Sequence, residues 1–375
     1  MPYAETITSM KVLPLEASER THEQRSMIVI GTATIRGEDL PAIGALTVLD
    51  IIDVVPDPDR PESGIKMKDV AREETKGAIT ALEAFGDCGL VGTAQGQKIM
   101  IRGLKEDGSC LPVAFLDAQT YITTLRTFGR SGLWLAGDAW KGLWFGGFIE
   151  EPYKLNVLGK SRTQMEVMAA EFLPFDGQLF VVVVDAEMDL HCLQYDPEDA
   201  KTLSGQRLLH RGTFHLGHFP TLAGGMMVLP STLAPMSEQT AVTNGNGLAN
   251  GHQDGEKPAA AAREDPPKLF QILTTFQSGA IGLLTPLDET TYRRLSGLQA
   301  QLTSLLEHAA GLNPRAFRAA VGSEGRGGVV DGSLVQRIGE LGAARRAEVL
   351  GRAGGDGWSL RSDLEVLGGG GLAYL

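Results

Sequence analysis

Several classes of protein are excluded by what this sequence lacks. Its 375 residues include only three cysteines, Cys88, Cys110 and Cys192, with no paired spacing that would make a disulfide framework or a zinc ligand set. Each lies in an apolar stretch, so reduced, buried thiols and a reducing compartment are expected. No apolar run approaches the roughly 18 residues of a membrane-spanning helix. The longest is "LFVVVV", and the N-terminus has no basic-then-apolar signal pattern. Cytosol or nucleus is the expected location, and no basic localisation run decides between them. Positive charge is scarce too. Lys and Arg number 34 against 46 Asp and Glu, a net charge of -12. From residue 288 onward arginines and acidic groups balance, so the excess of acid lies wholly before that point. An acidic body argues against a non-specific duplex binder, because phosphate affinity comes from Lys and Arg. Protein partners are expected instead.

What is present is a repeat. "ITALEAFGDCGLVGTAQGQKIMI" from Ile79 and "ITTLRTFGRSGLWLAGDAWKGLW" from Ile122 align without a gap at an offset of 43 residues. A weaker third copy contains Gly177 where the second has Gly129. Each unit reads as short strands separated by polar turns, and no helix lies between them, which rules out a βαβ pattern. A period of this length with four short strands is the signature of a β-propeller blade. About five such units precede residue 288, with "MIVIGTATIRG" and "GALTVLDIIDVV" in the first. The fold class is therefore mainly β, a partial propeller over 1–287 followed by a small α-helical domain over 288–375. Five units predict an incomplete ring, as in a piece of a longer propeller.

One segment interrupts the pattern. Residues 231–268 are rich in Pro, Gly, Asn, Ala and charge and carry no aromatic side chain, which predicts a disordered insertion. The strands "AGGMMVLP" and "KLFQILTTF" on either side are expected to pair across it, since each doubling of a flexible loop costs only about 0.6 kcal/mol. In the helical part, Tyr292, Leu295, Leu298, Leu302 and Leu305 line one helix face. Gly311 is expected to stop that helix, with Asn313 capping a second and Pro314 at its first position.

Candidate chemistry is thin. His191, Cys192, His210, His215 and His218 form the densest group of possible metal ligands, yet their spacing matches no zinc pattern. Asp185, Glu187 and Asp189 alternate as in a calcium loop but lack its central Gly and terminal Glu, so a polar hairpin turn is expected. "GSEGRGGVV" from Gly322 has no Lys-Ser or Lys-Thr ending and no strand before it, which excludes a phosphate cradle and leaves a plain loop. No catalytic residue, cofactor site or metal site is expected, and no enzyme. Trp134 and Trp144 fall in strands as core residues. Trp140 lies in the turn "GDAWKG", where an exposed indole serves as an interface anchor and a buried one fills a blade edge; both readings stand.

The motifs "GQKIMIRGL", "VAFLDAQTYI", "RRLSGLQAQL" and above all "AGLNPRAFR" resemble the C-terminal region of the large propeller subunit of the cleavage and polyadenylation specificity factor, the CPSF A family. "FHLG" at Phe214–Gly217 and "GAIGLL" at Gly279–Leu284 are common to the wider superfamily, which includes a damaged-DNA-binding subunit that adapts ubiquitin ligases and a subunit of the U2-associated splicing factor. "TYRR" followed by "GLNPRAFR" is similar to the polyadenylation member. The chain departs from the family in its long insertion and its Gly- and Ala-rich C-terminal stretch, and it lacks the family's two N-terminal propellers.

The resemblance implies a nuclear, non-enzymatic scaffold of pre-mRNA 3′-end cleavage and polyadenylation. It would hold a WD-repeat subunit and a zinc-finger subunit that read the polyadenylation signal, beside the endonuclease and poly(A) polymerase. Contact with pre-mRNA would be indirect, and no membrane is involved. Arg293, Arg294, Arg315 and Arg318 are its candidate interface residues, because paired arginines can grip carboxylates in two-point contacts; solvated faces or internal salt bridges are the plainer use of them. A ubiquitin-ligase adaptor or splicing scaffold, and a propeller enzyme built on the histidines, remain as alternatives.

The insertion yields a direct test. A segment of that composition does not offset the backbone entropy of ordering, about 1 to 2 kcal/mol per residue. Replacing 231–268 by a short Gly-Ser linker is expected to leave the melting temperature within a few degrees, as read by thermal denaturation; a larger fall would show that the segment packs.

Overall fold

The computed structural model describes residues 4–18, 21–56, 64–87, 89–221, 226–231, 269–320 and 328–368. The insertion beyond Ser231, Cys88 and most of "GSEGRGGVV" lie outside them. Five antiparallel sheets follow one another along the chain. The first holds β1 (Glu5–Glu16), β2 (Gln24–Thr34), β3 (Gly44–Asp53) and β4 (Ile65–Thr75). The second holds β5 (Ile79–Phe85), β6 (Leu90–Gln95), β7 (Lys98–Leu104) and β8 (Cys110–Asp117). The third holds β9 (Ile122–Thr127), β10 (Leu133–Asp138), β11 (Gly142–Glu150) and β12 (Tyr153–Lys160). The fourth holds β13 (Val167–Phe175), β14 (Gln178–Asp185), β15 (Asp189–Gln194) and β16 (Leu209–His215). The fifth has three strands, β17 (Met226–Ser231), β18 (Leu269–Thr275) and β19 (Ile281–Leu284). As expected, β17 and β18 pair across the insertion, from Met226 opposite Thr274 to Ser231 opposite Leu269.

These are the blades of a partial propeller, because the apolar core is divided into layers between successive sheets. Leu13, Val29 and Val48 of the first sheet meet Leu82, Val91 and Leu104 of the second. Phe85, Ile99 and Ile101 meet Leu125 and Trp144. Phe145 and Leu143 meet Phe172 and Val183, and Val182 and Val184 meet Met226 and Ile272. Trp134 and Trp144 are core, at 0% and 4% exposure. Trp134 needs a glycine beside it: a Cβ on Gly146 would stand 2.2 Å from the indole. The repeat glycines Gly86, Gly129 and Gly177 have φ of 65°, 51° and 67°, the left-handed backbone that the first hairpin turn of each blade requires.

The first strand of each sheet lies against the first strand of the next, and two side chains recur at this seam. The four strands read "ITSMKV", "ITALEA", "ITTLRT" and "VMAAEF" from Ile7, Ile79, Ile122 and Val167. At the second residue every one of them has a bulge. The bulge turns the hydroxyls of Thr8, Thr80 and Thr123 toward the carbonyls of Ile79, Ile122 and Val167 in the next sheet, while each also reaches a carbonyl of its own sheet, at 3.0, 3.3 and 3.1 Å. At the fifth residue the charge alternates: Lys11, Glu83, Arg126, Glu171. Lys11 Nζ lies 2.7 Å from Glu83, Arg126 lies 3.8 Å from Glu83 and 3.3 Å from Glu171, and Arg126 also donates to the Met226 carbonyl at 3.3 Å. Burial lowers the Lys11 pKa and raises that of Glu171, with Arg126 opposing the second shift. On the outward face of the first sheet, Ile7, Met10 and Val12 are 51%, 64% and 66% exposed, although their counterparts Ile79 and Leu82 are at 0%.

After the fifth sheet the chain turns helical: α1 (Glu289–Leu305), α2 (Pro314–Phe317), α3 (Gly332–Gln336), α4 (Ala343–Arg352) and α5 (Gly357–Leu367). Asp288 caps α1 by accepting from the Thr291 N–H, and Leu295, Leu298 and Leu302 are buried as their spacing predicts. Two expectations are corrected. Gly311 does not end α1, and Leu305 is 44% exposed rather than on the buried face. The helix stops at Leu305 because Leu306 takes an extended conformation (φ -92°, ψ 148°) and packs with the helical core. Ala310 and Gly311, at φ 51° and 72°, form a separate left-handed turn further on. Asn313 and Pro314 behave as expected: the Asn313 side chain accepts from the Arg315 N–H and opens the four-residue α2. No helix among the described residues is long and apolar enough to cross a membrane.

The charge series is testable. Arg126→Met leaves Glu171 buried without its cation, and breaking a buried pair in this way costs about 3 kcal/mol or more. Chemical denaturation is expected to show that loss, and the double change Arg126→Met with Glu171→Met is expected to recover over half of it. Equal losses in the single and double variants would show that the pair is not what matters.

Candidate protein-interaction site

Asp138, the last residue of β10, is fully buried and organises the turn that follows. Its Oδ1 accepts from the backbone N–H groups of Trp140 and Lys141, both at 2.8 Å, and from the Thr120 hydroxyl. The Trp140 side chain on this turn is 59% exposed. It lines a cavity of about 600 Å3. Glu166 comes from the connection into β13, Asp185 and Glu187 from the β14–β15 turn, and His191 and His210 from the facing strands β15 and β16.

The cavity floor is an ordered polar chain. Asp185 Oδ1 accepts from the N–H groups of Glu187 and Asp189 at 3.0 and 2.9 Å, which makes this segment the hairpin turn its sequence suggests. Asp185 Oδ2 lies 2.8 Å from His191 Nε2, and His191 Nδ1 lies 3.4 Å from His210 Nε2. His215 is drawn away to Asp189 at 2.6 Å, and His218 to Ser278 at 3.1 Å. Among the described residues no three metal-ligating side chains converge. Burial pushes the Cys110 and Cys192 thiols up to about 11, so neither is a nucleophile at neutral pH. An exposed indole over a recess with carboxylates and imidazoles suits recognition of a protein side chain.

The four candidate arginines separate into two kinds. Arg294 grips Asp363 of α5 with Nε at 3.0 Å and Nη2 at 2.7 Å from the same carboxylate oxygen and 2.8 Å from the other. Arg318 does more: Nη1 donates to the carbonyls of His215 and Leu216 at 2.9 and 2.8 Å, Nε donates to Asp331 at 3.0 Å, and the guanidinium lies 4.9 Å from the rings of both Phe214 and Phe317. These two join parts of this chain. Arg293 and Arg315 are exposed; Arg293 pairs with Glu289 one turn earlier on the surface.

Sequence reading overlooked Asp138, Glu166 and Asp331. For Asp138 the signal was there, since like Asp185 it is an Asp ending the second strand of a repeat just before its turn. For Asp331, which meets Arg318 and caps α3 through the Ser333 N–H at 3.0 Å, no local signal names the partner.

The family model described as the CPSF A subunit region matches residues 1–340. The chain is 46% identical over 373 residues to "Protein cft1" of Aspergillus fumigatus, covering 99% of this chain and 25% of that protein. It is 46% identical over 369 residues to "Protein CFT1" of Coccidioides immitis, covering 98% and 25%, and 32% identical over 371 residues to "Protein CFT1" of Candida glabrata, covering 98% and 24%. The chain thus spans about a quarter of the length of these relatives.

The contrast among arginines gives a measurable difference. Arg318→Ala removes three charge-assisted hydrogen bonds in a part-buried position, and a loss of about 2 kcal/mol is expected. Arg315→Ala is expected to stay within about 0.5 kcal/mol of the parent, as surface substitutions do. Denaturant unfolding of both variants compares them; similar stabilities would mean that Arg318 does not join the helices to the fourth sheet.

Proposed function

The chain belongs to the CPSF A subunit family, and from this we propose that it is part of a non-enzymatic scaffold in nuclear pre-mRNA 3′-end cleavage and polyadenylation. The observation that carries this reading is the match of nearly the whole chain, helical end included, to proteins called cft1. The partners are other subunits of that machinery: a WD-repeat subunit, a zinc-finger subunit, the endonuclease and poly(A) polymerase. The division near residue 288 belongs to the same reading, with a rigid propeller body and a helical unit offering different faces. Trp140, Arg293 and Arg315 are the exposed interface candidates, and Arg294 and Arg318 support them by holding the helical unit in place. The net charge of -12 makes the body a poor ligand for phosphate, so pre-mRNA is met through the partners.

A pull-down from nuclear extract of the source organism, with partners identified by mass, tests this. Recovery of the endonuclease and poly(A) polymerase is expected; a cullin or the U2 particle in their place would overturn it. Trp140→Ala is expected to weaken capture by about tenfold or more, as loss of a buried aromatic anchor does, with an unchanged melting temperature.

A further inference from the structure

The cavity beside Trp140 is built from segments that are tied to one another. Ser161 joins the start of β11, just after Trp140, to the connection into β13: its hydroxyl accepts from the Leu143 N–H at 3.0 Å and donates to the Thr163 carbonyl at 3.0 Å. Further along that connection the Glu166 carbonyl accepts from the Ala186 N–H at 2.9 Å, so Glu166 and Glu187 sit on adjoining backbone. Trp140, Glu166 and Glu187 thus line one recess on connected pieces of chain. Its volume of about 600 Å3 falls within the range of about 300 to 1,000 Å3 typical of ligand pockets.

The charge of the lining is one-sided. Glu166, Asp185, Glu187 and Asp189 line the recess against a single permanent cation, Arg162. Even with the two lining imidazoles, His191 and His210, both protonated, four negative charges would face three positive ones. The four carboxylates are not equally engaged. Asp185 accepts from two backbone N–H groups and meets His191, and Asp189 meets His215. Glu166 and Glu187 are exposed, and among the described residues their carboxylates have neither an ion pair nor a hydrogen bond. The exposed Trp140 ring likewise has no aromatic or cationic partner among the described residues.

An aromatic face, two unengaged carboxylates and a net negative lining suit a planar, delocalised cation. A guanidinium stacks on an indole and forks onto carboxylates, whereas an ammonium is a compact, strongly hydrated point charge. No three metal-ligating side chains converge among the described residues, which favours an organic cation over a metal ion. We propose that the recess seats an arginine side chain of a protein partner, its guanidinium against the Trp140 indole and its N–H groups donating to Glu166 and Glu187. This rests on the reading of Trp140 as an interface residue and says what that interface recognises.

The probe is blocked arginine, N-acetyl-arginine methylamide, titrated into the full 375-residue chain and followed by saturation-transfer NMR, which suits the weak binding of one side chain. Saturable binding of blocked arginine is expected. Blocked lysine is expected to bind about threefold or more weakly, and blocked citrulline, which keeps the shape without the charge, not at all. Glu166→Gln with Glu187→Gln is expected to weaken binding about fivefold or more, as is Trp140→Ala. Glu38→Gln with Asp39→Asn removes two exposed charges from the first sheet instead and is expected to change affinity by less than about twofold, since such distant charges are screened. All these positions are exposed, so melting temperatures are expected to stay within a few degrees of the parent.

Absent binding, equal binding of blocked citrulline or blocked lysine, or equal losses from the two charge-removing double variants would overturn the proposal. So would a gain in affinity of about tenfold in Arg326→Ala, which would make the chain's own arginine, six residues after the lining residue Ala320, the occupant. If Trp140→Ala loses capture from nuclear extract while blocked arginine does not bind, the interface stands and the arginine seat falls. If blocked arginine binds while a cullin or the U2 particle is captured, the seat stands and the proposed function falls.

Discussion

The seam along the first strands of the sheets is the constraint on which the rest of the structure depends. Apolar layers hold successive blades together but are non-directional, so by themselves they do not say how far one sheet slides on the next. The threonine hydroxyls and the alternating charges do. A slip of one residue would turn Thr80 and Glu83 away from Ile122 and Arg126 and leave buried polar groups without partners. The side chains of Glu83 and Glu171 are only 15% and 13% exposed there, so a carboxylate stranded at this seam is costly. Stability and register are thus set in the same place, by the same residues.

The helical end is tied to this body by a different device. Arg318 reaches from α2 to two carbonyls at the end of β16 while holding Asp331, which in turn starts α3. Gln271 of β18 donates to the Val366 carbonyl of α5 at 3.1 Å, and Arg294 closes α1 on α5 through Asp363. The arginines that sequence alone makes look like an external interface include the pins of the helical unit. Of the candidate interface residues, Trp140, Arg293 and Arg315 are then the ones left exposed.

The sequence by itself determined the local structure: the blade repeat with its left-handed hairpin glycines, the strand pairing across the insertion, the buried face of α1, and the Asn313-Pro314 start of α2. These are legible because strand alternation, helix spacing, turns and caps act within a few residues. Family membership was legible for the same reason, in short motifs read directly. Only the tertiary structure decided the rest. Lys11 and Glu83 are far apart in sequence, so their charge alternation has meaning only when β1 and β5 lie side by side. The end of α1 moved from Gly311 to Leu305 because Leu306 turns extended and packs against the helical core. Arg294 and Arg318 turned inward because Asp363 and Asp331 await them there, whereas Arg293 and Arg315 have only solvent or a neighbouring turn. A charge in a sequence does not name its partner; the fold does, by fixing which carboxylate lies within reach.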